Sequence, residues 1–518
     1  MKQVILKYHL YGVLLLLCLF YIYKATTFPI HDFANYYFGA QFLADGNFNS
    51  GIYFPYEFNK AISDLGFQNI FVSYAPNTPF LAVLFLPFTL LTVAKAKIIF
   101  NIISSILLIF SCYRLFNFYK IDRKYIVLVP ILFFVPIKNN LLFGQVYFLL
   151  FFLLSEGLIA YEKEQFKKMA LYLSLAILLK AFPILLLFIF VFKRHLKPLL
   201  YTLGISLLLF SISLLFTGFE VWHFWLNSVL SKASNGEIAT AFVDNYQSVF
   251  MFLKRLLVFD SVENPNSFFD YPVLFSGLVL GFKIGLVIVG YYISKRNSSN
   301  LLVFSYWILV SFLISPYGST YGFVLLFFAL ISILKSSVSN IYKSFFLLLL
   351  FLINNLPLSY FIENKYPFSY LRLLVLILLF IGFIFQFFKI INWKTVVSIT
   401  ILPIVFFLIF KESNLTQSEP ISKESFPILV YDYEISNNNL TYHYWNENGE
   451  NSSSIPYKSK ESQELQIIDN QIYYNKKQLT FDRSNKLKPI LINNKEILFL
   501  SDENKGIGFY SLKYIKYN

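Results

Sequence analysis

Cysteine is nearly missing from this chain: Cys18 and Cys112 are the only two in 518 residues. Both lie inside apolar runs and far apart, which argues against a disulfide framework and against a thiolate metal cluster. Charge is scarce as well. Only 14% of the residues are charged, too few to clothe a soluble protein of this length. Acidic residues are the rarer sign, 29 against 43 Lys and Arg, and no DxD-type carboxylate pair stands in either long polar loop. The region around Lys180 has no second copy, so the paired broken helices of many transporters are not in view.

What the chain has is apolar surface. Hydrophobic residues make up 57%, and the mean hydropathy is +0.59, more than one soluble core can bury against itself. Runs at residues 11–23, 98–110, 170–192, 198–216 and 371–388 approach or reach the roughly 20 residues a helix needs to cross about 30 Å of hydrocarbon. Lipid-embedded strands or loops would leave amides unpaired, so helices are the expected form. Lys2 and Lys7 precede the first run, but no small-residue cleavage site follows Tyr23, and the run is expected to be a retained signal anchor.

The net charge of +14 would suggest nucleic acid in a soluble protein. Here Lys and Arg gather in short loops between apolar runs, so the charge sets topology and implies no nucleic-acid partner. Lys120, Arg123 and Lys124; Lys163, Lys167 and Lys168; Lys193, Arg194 and Lys197; Lys295 and Arg296; Lys335 and Lys343; and Lys389 and Lys394 are expected on the cytoplasmic side. With the N-terminus inside, residues 25–78 and 218–271 become long outer loops. Short turns at 141–145, 315–321 and 359–369, and the segment from Lys411, then fall outside too.

Two segments strain this threading. Residues 79–91 are apolar, bounded by proline and short, fit to dip into the outer leaflet. Residues 169–192 begin and end at basic loops, with Lys180, Ala181, Phe182 and Pro183 at the centre. Two half-helices meeting at an intramembrane lysine are expected there, or one helix kinked at Pro183.

From Lys411 the composition turns to Asn, Ser, Lys, Glu and Tyr, with alternating stretches at 428–433, 440–445, 472–479 and 497–500. Turn formers at 437–439, 448–449 and 469–470 separate them. The expected fold is therefore an all-α polytopic membrane protein with roughly 11–13 transmembrane helices. Residues 1–410 form the membrane domain, and residues 411–518 a small extracytoplasmic antiparallel β domain without a recognisable catalytic cluster.

The first outer loop opens with His31 and Asp32 ahead of a stretch that reads as a short amphipathic surface helix. Asp32 has two readings there. It is a helix N-cap, or a base that takes a proton from a sugar hydroxyl.

Several short patterns occur in a particular order: Asp32, Tyr36, Ala40, Gly46 and Tyr53; Tyr74-Ala75-Pro76 with Pro79 and Pro87; Gly144-Gln145-Val146-Tyr147; Leu179-Lys180-Ala181-Phe182-Pro183; Asn245-Tyr246-Gln247-Ser248; and Ser315-Pro316. Together, over about residues 9–335, they resemble the polyprenyl-phosphate-mannose-dependent mannosyltransferases of glycosyltransferase family 87, in the GT-C superfamily. The resemblance implies a GT-C-type fold and a catalytic base at Asp32. It also implies a polyprenyl-phosphate sugar donor, a glycan or glycolipid acceptor and a site open to the lipid bilayer, with no cofactor. Such a protein would sit in the cell membrane.

Departure of the lipid phosphate needs nearby positive charge. Lys180, Lys254 and Arg255 are the candidates. Lys180 is also explained by snorkelling, and Lys254 and Arg255 by contact with lipid headgroups. The amides of Gln145 and Asn245 suit sugar hydroxyls or the backbone. Gln247 joins them through the resemblance. Tyr36, Tyr37, Tyr53 and Tyr74 suit a sugar ring or an interfacial belt. With 37 Tyr and 62 Phe in the chain, aromatic position alone decides nothing.

One position departs from the family pattern. Tyr321 stands where relatives often carry a histidine, and a phenol is a poor proton shuttle near neutral pH. His31 and His223 are the nearest substitutes. A transporter or flippase of lipid-linked glycans is the rival reading, and a noncatalytic scaffold the third.

Overall fold

A computed structural model describes residues 2–68, 70–237, 239–240, 242–243, 246–260, 263–388, 393–409, 419–420, 428–436, 438–446, 448–457, 462–492 and 496–516. The expected domain boundary at residues 410 and 411 lies outside them. Helices fill the chain up to Ile409, and strands follow.

Among the described residues, four helices are long and apolar enough to cross a membrane: Val93–Phe118, Leu196–Thr217, Pro272–Arg296 and Phe368–Phe387. The remaining apolar segments are shorter or broken, so the expected row of 11–13 spans is not a row of uniform helices. On Leu196–Thr217 the large side chains point outward, Leu207, Leu208 and Leu215 among them, the last 83% exposed. Each such leucine left in water forgoes about 1.5–3 kcal/mol, so a face of them suits lipid better than water. The family of apolar helices is that of a multi-pass membrane protein.

The breaks have local causes. Arg123–Leu132 and Phe134–Phe143 meet at 65°. Pro136 has no N–H to offer the Leu132 carbonyl. Asn355 supplies the missing partners: its Nδ2 donates to the Ile131 and Leu132 carbonyls at 3.2 and 3.1 Å, and its Oδ1 accepts from the Val135 amide at 3.2 Å.

The expected interruption near Lys180 is present. Helix Phe166–Leu179 stops where Lys180 becomes extended, a 3-10 turn Phe182–Leu186 follows, and Leu187–Lys193 completes the segment. The Thr78 hydroxyl donates to the Leu178 carbonyl at 2.5 Å, satisfying one of the carbonyls the break orphans.

The basic loops gather at one end of the helices. Lys193 donates to Asn300 at 2.6 Å, Asn300 to Glu162 at 3.3 Å, and Lys335 lies 4.7 Å from the Tyr119 ring centroid. At the other end the segment after the first helix, Lys232 and Glu263 meet the C-terminal region. Tyr56 stacks on Tyr431 with centroids 4.0 Å apart, and Lys60 pairs with Glu450 at 3.4 Å.

The described strands form three antiparallel sheets. The largest runs Glu419–Pro420, Ser511–Lys516, Glu496–Ser501, Lys486–Ile492, Ser462–Glu464. Leu429–Ser436, Asn439–Asn446 and Gly449–Pro456 make the second, an up-and-down meander. The stretch 472–479, expected as one strand, is instead a hairpin: Asn475 and Lys476 both take positive φ, 49° and 64°, and turn Gln471–Tyr474 back onto Lys477–Gln478. Two positive φ values in a two-residue loop are the geometry that matches strand twist.

Candidate functional site

Helix Phe33–Ala44 follows Asp32, but the Asp32 side chain makes no capping bond. Its carboxylate accepts from the Gln145 amide at 2.5 Å. The N-cap explanation therefore fails. So does the surface-helix expectation, because Phe33, Asn35, Tyr36, Tyr37 and Phe38 are all buried, and a helix apolar on every side belongs inside.

Gln145 reaches Asp32 because helix Phe134–Phe143 ends at Gly144 in the left-handed region, φ 68°. A Cβ there would sit 2.7 Å from Cβ of Phe33. Glycine is thus required twice, by backbone conformation and by the approach of the Asp32 segment. The Gln145 N–H closes the turn on the Asn140 carbonyl at 2.8 Å. Tyr36, one helical turn beyond Asp32, donates its hydroxyl to the Gln145 Oε1 at 2.7 Å. Both ends of the amide are then engaged, and its orientation is fixed.

Asp32, Tyr36 and Gln145 line a cavity of about 1080 Å³. Lys180, Arg255 and Tyr321 open into it as well. Lys180 donates to Asn77 Oδ1 at 3.0 Å and lies 5.9 Å from the Tyr147 ring centroid. The Tyr321 ring packs 5.5 Å from that of Tyr147. Burial pushes the Asp32 carboxyl above its ordinary value; the Gln145 amide, His31, Lys180 and Lys97 pull the other way. A carboxylate largely shielded from solvent, near cations and a fixed amide, is an arrangement that can take up a proton.

Other candidates stand elsewhere. Tyr74 is buried and outside the cavity lining, its hydroxyl on the Thr78 carbonyl at 3.2 Å and its ring against Tyr53 at 5.3 Å. Gln247 is buried too and donates to the Ser369 carbonyl at 3.0 Å. The Lys254 ammonium lies 4.8 Å from the Phe242 centroid, outside the lining; burial lowers it to about 8, against the pull of Glu263, Glu237 and Asp260. Asn245 lies outside the described residues. His31 rests on Phe143 at 4.9 Å and His223 on Phe219 at 5.8 Å, and neither lines the cavity. Among the described residues no group of three His, Cys, Asp or Glu is placed to hold a metal.

Four lining features went unread in the sequence. Asn77 sits inside the Pro76 to Pro79 stretch that the motif reading had already marked. Lys283 stands alone as a charge in the interior of the apolar helix Pro272–Arg296. Lys232 and the segment Gly506, Ile507 and Phe509 carried no local signal, since only the folded chain brings them to the cavity.

Residues 75–316 match the family model described as Glycosyltransferase family 87. Gln145, Lys180, Gln247, Lys254 and Arg255 fall inside that span; Asp32, Tyr36, Tyr74 and Tyr321 fall outside it. No curated protein and no solved structure matches the chain.

Proposed function

We propose that this chain, whose residues 75–316 match the glycosyltransferase family 87 model, moves a hexose, mannose or a close relative, from a polyprenyl phosphate to a glycan or lipid-linked acceptor. A membrane glycosyltransferase is the activity the family match supports. The observation that carries the finer reading is the Asp32 to Gln145 bond. It ties a carboxylate outside the matched region to a residue inside it, within one cavity that also holds Lys180.

Asp32 accepts the proton of an acceptor hydroxyl as its oxygen attacks the anomeric carbon. The bond from that carbon to the phosphate oxygen breaks, and its electron pair leaves with the polyprenyl phosphate. Attack opposite the leaving group inverts the centre. Lys180 and Arg255 face the growing negative charge, in a setting where fixed cations are worth far more than in water. No step calls on a metal. Gln145 and Tyr36 position the base, and Tyr321 offers a hydroxyl to the sugar. The reaction takes place at the extracytoplasmic face of the cell membrane, with the N-terminus cytoplasmic, and contributes to an envelope glycan.

Asp32→Asn keeps the shape and the contact with Gln145 but removes the base. Transfer from a radiolabelled polyprenyl-phosphate sugar in reconstituted membranes should fall by about 10²- to 10⁴-fold. Thermal unfolding should stay close to wild type. Undiminished turnover would end the assignment.

A further inference from the structure

We infer that the loop 502–509 of the C-terminal strand region forms one wall of the acceptor half of the cavity, with Ile507 and Phe509 selecting which acceptors reach Asp32. This rests on the transfer reaction proposed above. Gly506, Ile507 and Phe509 line the same cavity as Asp32. Ile507, 2% exposed, belongs to the hydrophobic core of the helices, and no other described residue beyond Ile409 does. A segment that reads as a polar turn is therefore inserted into the membrane domain.

The insertion is held from both sides. The Lys232 ammonium donates to the Asp502 carboxylate at 2.8 Å and to the Asp502 and Lys505 carbonyls, each at 2.9 Å. The fully buried Asp502 carboxylate also accepts from the Asn485 and Gly508 amides at 2.8 and 3.0 Å. Lys505 pairs with Glu263 at 3.6 Å. Gly508, at φ 72°, rests against Phe54 and Pro55 so closely that a Cβ would meet Pro55 at 3.0 Å. A loop so fixed is a wall.

Which substrate it faces follows from the remaining lining. The lining from the helices, Leu179, Phe182, Leu185, Phe312 and Ile314 with the cations Lys180 and Lys283, is mostly apolar. That part suits a lipid phosphate whose tail must leave toward the bilayer. Lys232 and Glu263 contact the loop, and with Trp225, Glu237 and Arg255 they give the lining a polar part, suited to the hydroxyls of a glycan. At about 1080 Å³ the space exceeds what a single small ligand commonly occupies, roughly 300–1,000 Å³, and leaves room for two partners to meet at Asp32.

The test uses the full-length protein in nanodiscs, a radiolabelled polyprenyl-phosphate mannose as donor, and the mixed lipid-linked glycans extracted from a strain lacking the chain as acceptors. Products are sorted by glycan length by mass spectrometry. Ile507→Ala and Phe509→Ala widen the wall and should raise the share of longer acceptors; Ile507→Trp should lower it. A change of about tenfold in the long-to-short ratio is the size expected for a reshaped pocket. Ile507→Val should restore the wild-type ratio, which separates selectivity from loss of fold. If the wild type elongates the pool and every variant gives the wild-type ratio, or all lengths fall together, the loop inference is overturned and the transfer reaction stands. If the wild type elongates nothing, the reaction and the loop inference fall together.

Discussion

Gln145 grips one oxygen of the Asp32 carboxylate at 2.5 Å, across 113 positions of sequence. The amide has no freedom to turn, because the Tyr36 hydroxyl donates to its oxygen at 2.7 Å. The amide nitrogen must therefore face the carboxylate. Asp32 thus has a donor that favours its ionised form, against the opposing effect of burial, and that cannot itself take the proton.

That relationship has a pH signature. Burial raises the Asp32 carboxyl above its ordinary value, and the Gln145 amide opposes the rise. A base works only when ionised, so turnover should climb with pH through this carboxyl and reach a plateau above it. Gln145→Leu removes a contact that favours the charged form, so the Asp32 carboxyl rises further and the acid limb of the profile should move to higher pH. Measuring kcat/KM against pH for both proteins decides the matter. An unmoved limb would mean that Asp32 is not the group being titrated.

Lys180 allows a sharper test, because its neighbour Asn77 separates charge from packing. Lys180→Met keeps the length of the side chain and removes the ammonium. Loss of one preorganised donor to a leaving group costs about 10²- to 10³-fold in kcat. Asn77→Leu leaves the ammonium in the cavity but removes its 3.0 Å anchor, and should cost much less. Equal losses in the two variants would show that Lys180 acts by packing, and binding of undecaprenyl phosphate to Lys180→Met should then be unchanged.

The sequence made local features legible and long-range ones opaque, for physical reasons. A lysine followed three positions later by proline inside an apolar run breaks a helix wherever it lies, and the chain does break at Lys180. Alternation and Asn-rich turns likewise locate the strands Leu429–Ser436 and Asn439–Asn446. The helix Phe33–Ala44 was misread as a surface helix, although its few polar residues, Asn35 and Gln41, are too sparse for a wet face. The contact between Asp32 and Gln145 is set by the turn at Gly144, and periodicity holds no record of which distant segment a turn will face. The C-terminal region looked like a separate domain, because its strands alternate on their own and nothing in a loop of Asp, Glu, Asn, Lys and Gly announces that Ile507 is core.

The Lys232 to Asp502 pair tests how strongly that region is joined to the helices. Both side chains are nearly or fully buried, 11% and 0% exposed, and 2.8 Å apart. Breaking a buried pair by removing one partner strands the other charge and costs about 3–5 kcal/mol. Lys232→Met should cost the most, since it leaves the fully buried Asp502 carboxylate with amide donors at Asn485 and Gly508 but without its cation. Asp502→Asn leaves the Lys232 ammonium with two carbonyls and the Glu237 carboxylate at 3.4 Å and should cost less. The double variant should lose less than the two single losses combined, because residues in one network couple. Cys18 and Cys112 are buried and free, so a thiol-reactive dye reports unfolding of the helical part directly. If the C-terminal region were merely tethered, none of the three variants would shift the temperature at which those thiols become reactive.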